Sequence, residues 1–254
     1  MTAREEWFPG EPCWIDLYTK DVAKARAFYS AVLGWKAGEQ AEQFGGYFMF
    51  LCDGVPVAGC MSKNSADHTP DAWTIYLATA NAEESLGRGA SHGATVVVPA
   101  MAVGDLGTMG MMVDPSGAAV GVWAPQEFSG FGRLDEPGTP KWFELHTGDY
   151  ESAVDFYRGV FGWEIGTVGD SPGFQYATAD HQGRRFAGIL QDRESSPRWE
   201  VRFGVRDTEA ALAAALANGG SLKRPTEETM YGRIGHLADP TGAAFVIQPA
   251  TQAP

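Results

Sequence analysis

Residues Cys13 to Trp35, CWIDLYTKDVAKARAFYSAVLGW, return 128 positions later as Lys141 to Trp163, KWFELHTGDYESAVDFYRGVFGW. Trp14 matches Trp142, Leu17 matches Leu145, Asp21 matches Asp149, Phe28-Tyr29 matches Phe156-Tyr157, and Gly34-Trp35 matches Gly162-Trp163. Further on, AWTIYLAT (72–79) pairs with RWEVRFGV (198–205), and DPSGAA (114–119) with DPTGAA (239–244), the offset drifting only to 125. Self-similarity over such lengths marks a tandem duplication, and each copy must build the same supersecondary unit. Between the copies, PQEFSGFGRLDEPGTP (125–140) carries Gly and Pro that break both helical and strand periodicity, as a linker does. The expected organisation is one domain over 10–126, a linker over 127–137 and a second domain over 138–250.

Within each copy the elements follow a readable order. WIDLYT alternates like a strand, then Asp21 caps a helix whose apolar residues Val22, Ala25, Phe28, Tyr29, Val32 and Leu33 recur at helical spacing before Gly34 ends it. Short strands are expected near WKAGEQ, YFMFLCD and VPVAGCM, after which the scheme restarts with strand AWTIYLAT, helix AEESLGRGASHG and strands ATVVVPA, MGMMV and AAVGVWA. The chain is therefore an α+β protein of four βαβββ units, two to a domain. DPSG and DPTG place Asp, Pro and Gly where a turn requires them, so the motif is expected only to make a hairpin, and the Phe-Tyr pairs only to fill the core.

Composition removes several classes of partner. Against 32 Asp and Glu stand 19 Lys and Arg, a formal charge of −13 that repels phosphate backbones and anionic membranes. No apolar run approaches the roughly 20 residues that span a bilayer, and the start, MTAREEWFPGEP, lacks the order of a secretory signal. A cytoplasmic protein, monomeric or homodimeric, is expected. Cys13, Cys52 and Cys60 lack CxxC spacing, so they are expected to be reduced packing residues, although Cys13, which opens the first strand, could reach a pocket as a reactive thiol.

Paired βαβββ units, a Phe-Tyr helix ending in LGW or FGW, and a DPxG hairpin near each domain end together resemble the vicinal oxygen chelate superfamily, which includes glyoxalase I, bleomycin-resistance proteins and extradiol dioxygenases. The resemblance covers nearly the whole chain. It implies U-shaped mixed sheets around a central cup, where the enzymes of the group hold a divalent metal. It also implies ligand positions, and these fall on Trp14, Thr74 and Gly121 in the first half and on Trp142, Glu200 and Val246 in the second. Indole offers no lone pair to a metal, and neither Gly nor Val has a ligating side chain, so only Glu200 could coordinate. Because a stable transition-metal site takes three or four protein ligands, no cofactor is expected at these positions.

Strand alternation supplies the expected cup linings. The first cup should present Trp14, Asp16, Tyr18, Thr74, Tyr76, Gly121 and Trp123; the second Trp142, Glu144, His146, Glu200, Arg202, Val246 and Gln248. Aromatic walls with a few polar groups suit a small organic ligand, and Trp14, Asp16, Tyr76, Trp142, Glu144, His146, Glu200 and Arg202 are the residues expected to meet it. Catalytic roles are open to Glu144, His146 and Glu200, while Arg202 is a natural salt-bridge partner for either carboxylate. His236 is expected to pack, because Met111 holds its place in the first half. Two functions follow. One is a metal-independent binder, sequestering protein or tailoring enzyme of the hydroxylase-like kind; the other is a metal-dependent lyase, isomerase or dioxygenase with an atypical site from Glu144, His146 and Glu200. The sequence leaves open whether the chain is an enzyme. Of the two cups the second, being more polar, is the expected site.

Overall fold

The computed structural model describes residues 7–64 and 66–250, so part of the stretch on which the absence of a secretory signal was read lies outside it. The first half runs β1 (Pro12–Thr19), α1 (Val22–Leu33), β2 (Lys36–Ala37), β3 (Phe48–Cys52), β4 (Val55–Ser62), β5 (Ala72–Ala78), α2 (Ala82–Ser91), β6 (Thr95–Val103), β7 (Gly107–Val113) and β8 (Ala119–Pro125). The second runs β9 (Pro140–Thr147), α3 (Tyr150–Phe161), β10 (Glu164–Ser171), β11 (Phe174–His181), β12 (Arg184–Gln191), β13 (Arg198–Val205), α4 (Thr208–Ala217), β14 (Ser221–Leu222), β15 (Glu227–Thr229), β16 (Gly232–Ala238) and β17 (Ala244–Pro249). The first strand expected after α1, near WKAGEQ, shrinks to two residues and a 3₁₀ turn at Glu42–Phe44.

Each half closes into one mixed sheet, ordered β2-β3-β4-β1-β5-β8-β7-β6 and β10-β11-β12-β9-β13-β17-β16-β14. At the middle of each, the opening strands of the two units run antiparallel, β1 with β5 and β9 with β13, flanked by parallel pairs. This resolves how the four units pair: consecutive units share a sheet. Asp21 and Asp149 cap α1 and α3 through their side chains, and Gly34 and Gly162 end them at φ 73° and 69°, the left-handed region that glycine adopts without strain.

Between the sheets the halves share one aromatic core. Tyr29 lies 5.3 Å from Trp73 of its own half and 5.8 Å from Phe245 of the other, ring to ring, while Trp73 meets Phe203 at 5.6 Å. The DPxG and Phe-Tyr motifs do more here than turn and fill. Tyr29 donates to Asp239 Oδ2 at 3.2 Å and Tyr157 to Asp114 Oδ2 at 2.9 Å, while the indoles of Trp73 and Trp199 donate to the two tyrosine hydroxyls at 3.0 and 2.9 Å. Each turn thus anchors a helix of the opposite half. The reading of these motifs as turn and core alone is corrected, because unit pairing across the interface leaves no trace in local periodicity.

The connecting segment packs rather than hangs free. Phe131 hydrogen-bonds through its N–H to Cys13 O at 2.9 Å, and the Phe128 and Phe131 rings lie 4.7 and 5.4 Å from Trp14. All three cysteines are free and buried. Cys13 is fully buried, and burial pushes its thiol far above the ordinary range, which removes it as a reactive group.

Candidate functional site: two unequal cups

Cross-strand register brings the cup residues together as alternation requires. Asp16 sits opposite Thr74 and Trp14 opposite Tyr76; Glu144 sits opposite Glu200 and Trp142 opposite Arg202. On the outer side of the centre, Tyr76 pairs with Gly121 and Arg202 with Val246.

In both cups an acid accepts from the indole two residues before it and from a tyrosine on the neighbouring arm. Trp14 Nε1 and Tyr47 OH donate to Asp16 Oδ1 at 3.0 and 2.9 Å. Trp142 Nε1 and Tyr176 OH donate to Glu144 Oε2 at 3.4 and 2.9 Å. Each tyrosine lies over a glycine: a Cβ on Gly59 would fall 1.9 Å from Tyr47 OH, and one on Gly188 2.4 Å from Tyr176 OH. Tyr47 and Tyr176 escape the sequence reading, although each stands twelve residues before its glycine in both copies.

The first cup contains only neutral donors around its acid. Tyr76 adds a third donor beside Asp16, and burial, only partly offset by these bonds, pushes the carboxyl up to about 6. Its aromatic residues close on one another: Trp123 donates to Phe128 O at 2.9 Å, and the position of a Cβ on Gly104, at the β6–β7 tip, lies 3.1 Å from the Phe44 ring on the opposite arm.

The second cup is a charge cluster. Glu144, His146 and Glu200 are 2, 1 and 7 % exposed, and Arg202 is half-buried. His146 Nε2 lies 3.1 Å from Glu144 Oε1 and 3.4 Å from Glu200 Oε1. The Arg202 guanidinium binds the same Glu144 Oε1. On its other side His146 Nδ1 faces Asp192 Oδ2 at 3.4 Å and Arg198 Nη2 at 3.3 Å. Burial alone would raise Glu144 and discharge His146, but the opposite charges beside them win: Glu144 falls to about 2, with His146 and Arg202 responsible, and His146 rises to about 9 between its two carboxylates. At neutral pH the imidazole is therefore a cation.

His236 belongs to this cluster, not to packing alone. It is 4 % exposed, its Nδ1 lies 3.7 Å from Glu200 Oε1, and its Nε2 meets Arg224 Nη2 at 2.6 Å. Its exchange with Met111 in the repeat concealed this, since polarity shared by both copies was the signal being read. Val246 and Gly121 carry no donor, as expected, and Gln248 is buried at the end of β17.

Glu144, His146 and Glu200 each offer a ligand atom, all within 4.8 Å of one another, so the cluster could hold a metal ion. His146 Nε2 and Glu200 Oε1 also lack an aligned hydrogen bond, their mutual approach being a charge contact. Against an ion stands the saturation of Glu144, whose Oε1 carries Arg202 and whose Oε2 takes Tyr176 and Trp142.

Known proteins share this architecture. A Mycobacterium tuberculosis protein named "Putative glyoxylase CFP32" is 32 % identical over 260 residues, covering 99 % of this chain and 100 % of the relative. The "Anthracycline biosynthesis protein DnrV" of Streptomyces peucetius is 32 % identical over 257 residues, covering 94 % and 93 %. Among solved structures, the Mn(II)-bound glyoxalase from Novosphingobium aromaticivorans superposes with TM-score 0.67 at 17 % identity, over 96 % of this chain and 83 % of that one. The profile of the Glyoxalase/Bleomycin resistance protein/Dioxygenase superfamily matches residues 13–122 and 139–247, one match in each half, and the chain belongs to that superfamily.

Proposed function

We propose that the second cup binds a small, oxygen-bearing aromatic molecule and does so without a resident metal. The observation that carries this reading is a set of buried polar atoms that make no aligned hydrogen bond: His146 Nε2 and Glu200 Oε1, held only by charge contacts, and Arg202 Nε. Unpaired buried polar atoms are costly and rare, and a ligand that supplies their partners recovers that cost. A carbonyl or phenolate oxygen would accept from Arg202 Nε–H and from the His146 imidazolium, while a hydroxyl would donate to Glu200. The half-buried rings of Trp142 and Tyr176, with Phe174 stacked beyond Tyr176 at 6.4 Å, give such a molecule an aromatic wall. A relative named for anthracycline biosynthesis supports an aromatic, oxygen-rich ligand. A buried imidazolium can also hand a proton to the bound oxygen, so the site suits binding and acid-assisted chemistry alike.

The absence of a metal rests on the donor set. At the inferred family positions Trp142 and Val246 offer no ligand, Glu144 has no oxygen to spare, and His146 would have to lose its proton. A metal-dependent reading is favoured by the convergence of Glu144, His146 and Glu200, and one measurement separates the two. Elemental analysis of protein purified without chelator should find no stoichiometric zinc, manganese, nickel or iron; an ion present one per chain and lost in Glu200→Ala would reverse the assignment. A thermal-shift screen of hydroxylated aromatic ketones and quinones should return hits whose shift is lost in Trp142→Ala and Glu200→Gln but kept in Trp14→Ala. The opposite pattern would move the site to the first cup.

A further inference from the structure

We infer that the Arg202 guanidinium takes the place of a metal ion in the second cup, and that Glu144, His146 and Glu200 form a latent divalent-cation site which this one side chain keeps closed. The inference rests on the metal-free reading above. Donors bound to one ion at about 2.0–2.2 Å lie roughly 3–3.5 Å from one another, and His146 Nε2 stands 3.1 and 3.4 Å from the two carboxylate oxygens. The imidazole is also oriented as a ligand would be, its Nδ1 facing the Asp192 carboxylate at 3.4 Å. What the set lacks is a free Glu144 oxygen at the centre. Arg202 occupies it, binding the oxygen that faces His146 Nε2.

Register explains how it comes to sit there. Arg202 lies on the central strand β13, opposite Trp142 on one side and Val246 on the other, two residues from Glu200. Those three positions are where the resemblance places metal ligands. Tyr76 holds the same place in the first half, opposite Trp14 and Gly121, beside Asp16. Both halves therefore use this position to give the acid a donor, and only the second makes it a cation. A divalent ion would have to take the Glu144 oxygen that Arg202 holds and would stand directly beside the guanidinium, so the two cations exclude each other. Remove Arg202 and the balance favours the ion.

The test is a gain of function. Arg202→Met, which keeps the aliphatic stem, should bind one Mn(II) per chain at least about 100-fold more tightly than wild type by calorimetry, with a protein-bound Mn(II) signal in electron paramagnetic resonance. Arg202→Lys, which keeps the charge, should not. Arg202→Met/Glu200→Gln should lose what Arg202→Met gained. Arg202→Gln replaces Arg202→Met if circular dichroism shows the latter unfolded. An uncharged variant that binds Mn(II) no better than a metal-free wild type overturns this inference and leaves the proposed function standing; a wild type that itself binds one ion tightly overturns both.

Discussion

The two cups are the same device with different electrical contents. Each has a tryptophan and an acid two residues apart, a tyrosine hydroxyl on the acid, and a glycine beneath the tyrosine. Four of the exchanges between them change the polar groups around the acid: Tyr76 becomes Arg202, Thr74 becomes Glu200, Tyr18 becomes His146 and Met111 becomes His236. The neutral cup leaves its acid reluctant to ionise, whereas the charged cup holds Glu144 ionised and His146 protonated. The halves thus differ in their cups while both keep the interlocks that hold them together.

The sharpest way to break the comparison is to remove each acid. Glu144→Ala takes from Arg202 its carboxylate partner and from His146 one of its two inner ones, and should cost about 3–5 kcal/mol, the usual penalty for breaking a buried pair from one side. Asp16→Ala frees only neutral donors and should cost about 1–3 kcal/mol. Urea titrations of the two variants measure both, and equal losses would mean that the cups do not differ in the way described.

Acid dependence should distinguish them next. The Asp16 carboxyl is raised from 3.8 to about 6, so as pH falls through 6 the native chain takes up a proton before the unfolded one does. Its contribution to stability therefore increases on acidification, by about 3 kcal/mol once the pH is below the ordinary carboxyl value of 3.8, and is lost as pH rises through 6. Glu144, lowered to about 2, has the opposite sign: its stabilisation is present above about pH 4.5 and lost as pH falls through 2. His146, raised to about 9, stabilises below 6.5 and ceases to do so as pH rises through 9. Between pH 4.5 and 6 Asp16 should supply the larger part of the slope, with Asp114, whose carboxyl burial also raises, adding in the same direction, and Asp16→Asn should reduce it. A wild-type slope retained in that variant would refute the assignment.

Much of this arrangement was legible in the sequence. Repetition gave the fold, and period-two alternation put Trp14, Asp16, Trp142, Glu144 and His146 on the faces where they lie. Two kinds of feature were not legible. Tyr47 and Tyr176 follow a stretch where the copies diverge, and register shifts on the neighbouring strands obscure alternation there. The Tyr29–Asp239 and Tyr157–Asp114 bonds join residues 210 and 43 positions apart across an interface, which no local pattern reports. His236 was missed for a third reason: comparison between repeats reveals what the copies share, and a site that arose in one copy is made of what they do not.

The reciprocal interlocks give the last and smallest test, and here the halves should agree. Tyr157→Phe removes a hydroxyl that donates to Asp114 and accepts from Trp199, and Tyr29→Phe removes its counterpart between Asp239 and Trp73. Each variant leaves an indole N–H and part of a buried carboxylate unpaired, so each should lose about 1–3 kcal/mol. Because the two networks are built alike, their losses should match within about 0.5 kcal/mol and add in the double variant, the hydroxyls having no shared partner. A ligand that stabilises through the second cup should shift all three variants by the same amount as wild type. If Tyr157→Phe alone weakened that shift, the interlock would be part of the charged cup's own machinery, and the division between shared frame and specialised site would have to be redrawn.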